Sequence, residues 1–213
     1  MQNDLTVILA DGDFPRAEEA ISVLRNAARI VCCDGSAASL AEFGLEPTVI
    51  IGDLDSLPAK FKERFSDRLI HVREQETNDL TKAFTYCQKQ GWTNLAILGA
   101  TGKREDHTLG NLSLLADYSE SVPNLKFITN YGVFFIARNS GDFPSDPGQQ
   151  ISIIALQTGT PVTSSGLKYP MDKLVLNRWW QATLNEALSD QYHLDFPTGT
   201  QLLIFQEHIK KSK

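Results

Sequence analysis

Short apolar, often β-branched runs alternate with stretches of helical spacing through the first two-thirds of the chain. The runs fall at residues 5–10, 29–33, 48–51, 69–72, 95–98 and 125–129, each of strand length. In the first helical stretch Pro15 fits the opening turn, and Ala17, Ala20, Ile21 and Leu24 share one face. A second helix over 36–43 stops at Gly44, and a third over 79–90 stops at Gly91. A fourth runs from about His107 to Tyr118, with Leu109, Leu112 and Leu115 turned inward. Strand and helix repeated in this way predict an α/β fold built on a mostly parallel sheet covered on both faces.

The texture changes after about Gly141. Asp142-Phe143-Pro144-Ser145-Asp146-Pro147-Gly148 is turn-rich and cannot be crossed by a helix. Beyond it, short strand-like runs at 151–156, 161–164, 173–176 and 201–205 are separated by Gly, Pro, Ser and Thr, which predicts a small antiparallel β-domain. Gly132 to Ala137 could belong to either half. The pattern draws the line between domains at 140/141, giving domains 1–140 and 141–213, in keeping with the one to two domains that 213 residues imply. There is no internal repeat.

Composition narrows the class. With 42% hydrophobic and 22% charged residues, the chain reads as a soluble globular protein rather than a disordered or fibrous one. The net charge of −6 argues against nucleic acid or an anionic membrane as partner, since both require a basic surface. Cys32, Cys33 and Cys87 are odd in number and lack paired spacing, so they read as small buried hydrophobes. Met1-Gln2-Asn3-Asp4 is not a basic leader, and no apolar run approaches the roughly 20 residues of a membrane helix. The expected location is the cytoplasm, with the basic end from His208 to Lys213 a solvated tail.

Four polar clusters stand at strand ends, where open parallel sheets bind ligands. They are Asp34-Gly35-Ser36, Gly52-Asp53-Leu54-Asp55-Ser56, Gln75-Glu76-Thr77-Asn78-Asp79, and the segment from Gly99 to His107. All four should converge on one edge of the sheet. Asp53 and Asp55, two residues apart in extended chain, would point the same way, and Asp79 adds a third hard oxygen ligand with no histidine or thiolate pair nearby. That donor set suits Mg²⁺ shared with substrate phosphates; the plainer alternative makes Asp53 and Asp55 turn or cap residues. Gly99, Thr101, Gly102, Lys103 and Arg104 can form a loop whose N–H groups and cations hold phosphates, although it is neither a Walker A loop nor a GxGxxG turn. Asp106 could cap the following helix, and His107 could be either a general base or a core histidine. Trp179 and Trp180, adjacent in a strand, would face opposite sides, one in the core and one free to stack on a flat ring. Asn185-Glu186 could meet a ligand or simply form a turn.

Taken in order along the chain, these clusters resemble the thiamine pyrophosphokinases of bacterial type. Asp34-Gly35-Ser36-Ala37 is similar to the family's Asp-Gly-Gly-Ala, Gly52-Asp53-Leu54-Asp55-Ser56 to its Gly-Asp-Phe-Asp-Ser, and Asn78-Asp79 to its Thr-Asp. Gly99 through His107 resembles its Gly-Gly-Thr-Gly-Gly-Arg-x-Asp-His, and Gly166-Leu167-Lys168-Tyr169-Pro170 its Gly-Leu-Lys-Tyr/Trp element. Ala182-Thr183-Leu184-Asn185-Glu186 departs from the usual Ser-x-Ser-Asn-Glu. The resemblance implies a Rossmann-like catalytic domain, a C-terminal β-sandwich, and a homodimer that binds thiamine near the subunit interface. It further implies transfer of the terminal diphosphate of ATP to thiamine, giving thiamine diphosphate and AMP. On this reading Asp53, Asp55 and Asp79 hold Mg²⁺. Asp34, Gly35, Gly52, Gln75, Asn78 and the 99–104 loop line the ATP site, Asp106 and His107 lie near the transferred group, and Trp180 and Asn185 are thiamine contacts.

Two other classes remain open. Asp53-Leu54-Asp55 after an apolar strand superficially resembles the nucleophile strand of haloacid-dehalogenase phosphatases, but Leu57 stands where those enzymes want Thr or Val. A non-catalytic nucleotide or thiamine sensor on the same fold is the other, and the altered 182–186 stretch leaves room for it.

Overall fold

The computed structural model describes residues 4–209; the first three residues and most of the basic tail, from Lys210 on, lie outside the described residues. The chain separates into two compact units, one up to Asn130 and one from Tyr131. The boundary therefore lies about ten residues before the 140/141 line that the residue pattern suggests.

In the first unit the elements run β1 (Thr6–Leu9), α1 (Glu18–Arg25), β2 (Arg29–Cys33), α2 (Ser36–Glu42), β3 (Val49–Gly52), α3 (Ala59–Arg64), β4 (Leu69–His71), α4 (Asp79–Lys89), β5 (Leu95–Leu98), α5 (Glu105–Ser121) and β6 (Lys126–Ile128). All strand pairs among them are parallel, in the order β6-β5-β1-β2-β3-β4. Burial on both faces is why β1, β3 and β5 read as continuous apolar runs: every residue in them is buried. Helix α4 packs across β1, β2 and β3 and beside α5. Cys32, Cys33 and Cys87 are buried and free, and burial pushes the Cys32 and Cys87 thiols up to about 12. They serve as core packing, as expected.

Two helices depart from expectation. Pro15 lies ahead of α1 rather than inside it, because the Asn130 side chain accepts the Arg16 and Ala17 N–H groups and keeps this approach extended. In α5, Leu115 is fully buried, but Leu109 is 56% exposed. The helix begins two residues earlier than its apolar spacing predicts, and its first turns lie at the mouth of the cleft described below rather than on the sheet.

The second unit comprises β7 (Gly132–Ala137), β8 (Gly141–Pro144), β9 (Gln150–Ala155), β10 (Thr160–Ser165), β11 (Leu174–Leu176), β12 (Ala182–Glu186), β13 (Gln191–Asp195) and β14 (Leu202–Glu207). Gly132 to Ala137 belongs here, paired antiparallel with β14 along its whole length. Two antiparallel layers form, β12-β9-β14-β7 and β11-β10-β13-β8. Alternate residues meet between them: Ile151, Ile153, Leu202 and Ile204 from one layer, and Val162, Leu176, Tyr192 and Leu194 from the other. This is the expected small β-sandwich. Part of the turn-rich stretch after Gly141 is nonetheless strand β8, because β13 supplies backbone partners from Gly141 to Pro144.

No helix among the described residues is long and apolar enough to cross a membrane. We expect Leu115→Ala to destabilise the first unit by about 2–5 kcal/mol. Leu109→Ala should stay within about 0.5 kcal/mol. Urea denaturation of the two variants checks this; equal losses would contradict the assigned faces of α5.

Candidate active site

In the first sheet β1 lies between β5 and β2, so chain order reverses there, and loops leaving the two sides diverge at the carboxyl ends of the strands. A cleft of about 410 Å³ opens at this edge. All four polar clusters contribute to it: Asp34, Asp53 and Ser56, then Gln75, Asn78 and Asp79, then Gly102, Lys103, Arg104 and His107. The convergence expected from the sequence is present.

The cleft floor is acidic. One carboxylate oxygen each from Asp34, Asp53 and Asp79 lies within 4.8 Å of the others. Asp34 follows β2 in a left-handed conformation and is buried; its Oδ2 accepts the Ser56 N–H at 3.0 Å, and its Oδ1 is buried without a hydrogen-bond partner. Burial, reinforced by the Asp79 charge, pushes the Asp34 carboxyl above the usual range, partly offset by the Ser56 N–H. The Asp55 backbone N–H and the Gln75 amide hold Asp53 below it. Gly52 makes the close approach possible: a Cβ there would stand 3.1 Å from the Asp34 Cβ and 3.2 Å from the Asp79 carboxylate. Three clustered hard oxygens with one orphaned buried acceptor fit a divalent cation such as Mg²⁺.

Asp55 is not in that group. Leu54 adopts φ 65°, so the chain turns between the two acids instead of staying extended, and Asp55 is exposed. The rule that carboxylates at i and i+2 share a side fails at this left-handed residue, and Asp34 stands where the sequence places Asp55.

The opposite lip is basic. Gly99 and Gly102 have positive φ; a Cβ on Gly99 would fall 2.4 Å from the Ala10 carbonyl oxygen, and one on Gly102 2.5 Å from the Asp13 carboxylate carbon. The loop is zipped to the one after β1, with Gly12 N–H donating to the Gly99 carbonyl at 2.7 Å and Asp13 N–H to that of Thr101 at 2.8 Å. Lys103 pairs with Asp11 at 3.0 Å in an exposed bridge. Exposed pairs of this kind contribute about 0–1 kcal/mol, so an incoming phosphate can displace Asp11. Arg104 grips Asp106 through two hydrogen bonds, which lower the Asp106 carboxyl to about 2. His107 is exposed and its N–H donates to Asp106 Oδ1 at 2.9 Å, so it is not a core histidine. Gly35, Gly52 and Gly99 act as backbone positions, and Asp55, Thr101 and Asp106 are not among the residues lining the cleft.

In the second unit Trp179 and Trp180 are 56% and 72% exposed. Neither is in the core, because they occupy a turn between β11 and β12, where Gln181 Oε1 accepts the Asn177 and Arg178 N–H groups. Asn185 is buried and its amide is fully engaged with backbone: it bonds the Tyr169 N–H and carbonyl at 3.0 and 2.8 Å and accepts the Glu186 N–H. It shapes the Tyr169 turn rather than offering a free polar group.

Residues 20–127 match the family described as thiamin pyrophosphokinase, catalytic domain, and residues 132–205 match thiamin pyrophosphokinase, substrate-binding domain. The chain belongs to the thiamin pyrophosphokinase family. It is 29% identical over 161 residues to thiamin pyrophosphokinase 1 of Caenorhabditis elegans, covering 70% of this chain and 65% of that protein. It is 26% identical over 179 residues to thiamine pyrophosphokinase of Bacillus subtilis, covering 80% and 84% of the respective chains. The fold is similar to solved thiamin pyrophosphokinases from Candida albicans (TM-score 0.81, 19% identity, 95% of this chain and 88% of that one) and Bacillus subtilis (TM-score 0.79, 21% identity, 96% and 100%).

Within this family member, Asn78 caps α4, its Oδ1 accepting the Thr81 N–H and hydroxyl at 2.9 Å each. Its Nδ2 donates to Asn111, which in turn donates to the Ala100 carbonyl at 2.8 Å, tying the acidic side of the cleft to the basic loop. Asp11, Gly12, Lys82 and Asn111 line the cleft without standing out in the sequence. An Asp-Gly pair just past the first apolar strand was the available signal for Asp11 and Gly12. Nothing in the local pattern distinguishes Lys82 or Asn111 from ordinary helix residues.

The Arg104 pairing makes a direct prediction. Because the folded pKa of Asp106 is depressed, the pair stabilises the fold above the ordinary carboxylate range and loses that contribution only as pH falls toward about 2. Arg104→Ala should return the Asp106 titration, followed by carbon-13 NMR of its carboxyl, to near the ordinary 3.8. An unchanged titration would assign the depression to some other group.

Proposed function

We propose that this chain is a thiamine pyrophosphokinase that transfers the diphosphate of ATP to the hydroxyethyl group of thiamine, giving thiamine diphosphate and AMP. The observation that carries this reading is the facing of an acidic floor and a cationic glycine loop across one cleft at the strand ends. Matches to the family's catalytic and substrate-binding domains, spanning both units, support it.

Asp34, Asp53 and Asp79, with Asp55 at their edge, are the residues we assign to Mg²⁺, which when bound supplies positive charge against the ATP phosphates. Lys103, Arg104 and the Gly102 backbone meet those phosphates from the other side. Gln75 steadies Asp53, and Asp106 orients Arg104. The thiamine hydroxyl oxygen attacks the β-phosphorus, the bond from that phosphorus to the α–β bridging oxygen breaks, and AMP departs with the electron pair while the hydroxyl proton passes to solvent. Negative charge grows on the transferred oxygens and on AMP, so positioning and electrostatic neutralisation supply most of the acceleration. Trp180 offers an exposed ring on which thiamine can stack. A cytoplasmic homodimer completes the proposal.

The test is incubation of the purified protein with thiamine, ATP and Mg²⁺, resolving nucleotides and thiamine esters chromatographically. Matched thiamine diphosphate and AMP are expected. ADP with thiamine monophosphate would indicate phosphoryl transfer instead, and nucleotide binding without turnover would favour a sensor. Asp79→Asn should lower turnover by about 100-fold or more. His107→Ala should cost less than about 10-fold, whereas loss of a true general base costs roughly 10²–10⁴. Equal losses would make His107 that base, and an Asp55→Asn loss matching Asp79→Asn would return Asp55 to the cation's ligand set.

A further inference from the structure

Lys82 is the one buried lysine or arginine among the described residues, its side chain 4% exposed. Such burial is rare for lysine unless the charge is paired. Its Nζ donates to Asp79 Oδ1 at 3.0 Å, and it lines the cleft alongside Asp34, Asp53 and Asp79. Helix stability does not explain its place: it lies in the first turn of α4, where the helix dipole disfavours a cation and favours Asp79. Surface solvation does not explain it either. What stands around the ammonium is a set of three carboxylates within 4.8 Å of one another, one of them with a buried oxygen that has no partner.

We propose that Lys82 is the positioning residue of the acidic floor, its buried ammonium holding Asp79 beside Asp34 and Asp53 and so presetting the three carboxylates for a divalent cation. The inference rests on the reading that these carboxylates bind such a cation. Without the ammonium, mutual repulsion drives Asp79 away from the other two acids, and the cation loses a preplaced ligand. The competing physical possibility is that Lys82 merely occupies Asp79 and competes with the cation, in which case its removal tightens binding. The two differ in sign.

The test measures Mn²⁺ binding by electron paramagnetic resonance in nucleotide-free protein at fixed pH, for the parent, Lys82→Met and Lys82→Arg, and for Asp79→Asn with and without Lys82→Met. Groups that orient metal ligands typically contribute about 10–100-fold to affinity. Lys82→Met should therefore weaken Mn²⁺ binding by about 10-fold or more, and Lys82→Arg should recover most of the loss. In the Asp79→Asn background, Lys82→Met should produce no further loss, because Lys82 acts through Asp79. Binding by Lys82→Met as tight as the parent's or tighter, or an equal loss in the Asp79→Asn background, would overturn the proposal. If Lys82→Met alone does not fold, the Asp79→Asn pair, whose double variant leaves no lone buried ammonium, decides the question. A parent that binds no Mn²⁺ would overturn the cation site itself, whereas parent binding unaffected by Lys82→Met overturns only the role of Lys82.

Discussion

Three carboxylates held within 4.8 Å of one another are the constraint around which the rest of the first unit is arranged. At an effective dielectric of about 20, two unit charges at that separation repel by roughly 3 kcal/mol. A chain gathers such charges only where its backbone enforces the approach and something compensates them. Enforcement comes from Gly52, which leaves no side chain between Asp34 and Asp79, and from the left-handed turns at Asp34 and Leu54. Compensation comes from the Ser56 and Asp55 N–H groups and from Lys82, and it is incomplete: Asp34 Oδ1 remains buried without a partner.

The opposite lip has the reverse electrostatics and a looser hold. Lys103 and Arg104 are tied to Asp11 and Asp106 in exposed bridges, which orient the cations without consuming them. The backbone beneath is stiff, because the loops after β1 and β5 share two hydrogen bonds across the switch point of the sheet. The Asn78–Asn111–Ala100 hydrogen bonds then link the two lips. An anionic chain of phosphates meets the acidic floor through a cation and the basic loop directly, so the parallel sheet acts mainly as a rigid edge that holds these opposed surfaces at working distance.

The sequence made the strands of the first unit legible because burial on both faces forces apolar runs; 29–33 and 95–98 coincide with β2 and β5. The four polar clusters were equally legible, since a polar run directly after such a strand must fall at the sheet edge. What could not be read was local handedness. The positive φ of Leu54 is invisible in the residue pattern, and it decides that Asp34 rather than Asp55 joins the acidic group. Long-range pairing was hidden too, as with Asp11 and Lys103, which lie 92 residues apart. In the second unit the strands are short and one-sided, so the Trp179-Trp180 turn imitates a strand, and β8, with its alternating exposure and terminal Pro144, imitates a turn. The pair Gly132 to Ala137 and Leu202 to Glu207 closes only when residues some 70 positions apart meet, which moves the boundary to Asn130.

The central claim is that the acidic floor is held under mutual repulsion that a divalent cation relieves. The most direct measurement is thermal unfolding of the parent and of Asp34→Asn, each with and without Mg²⁺ and in the absence of nucleotide. The account predicts that Mg²⁺ raises the Tm of the parent, while Asp34→Asn starts with a higher Tm than the cation-free parent and gains little from Mg²⁺. An Asp34→Asn protein that is less stable than the parent without Mg²⁺, or that gains as much from it, would contradict the account.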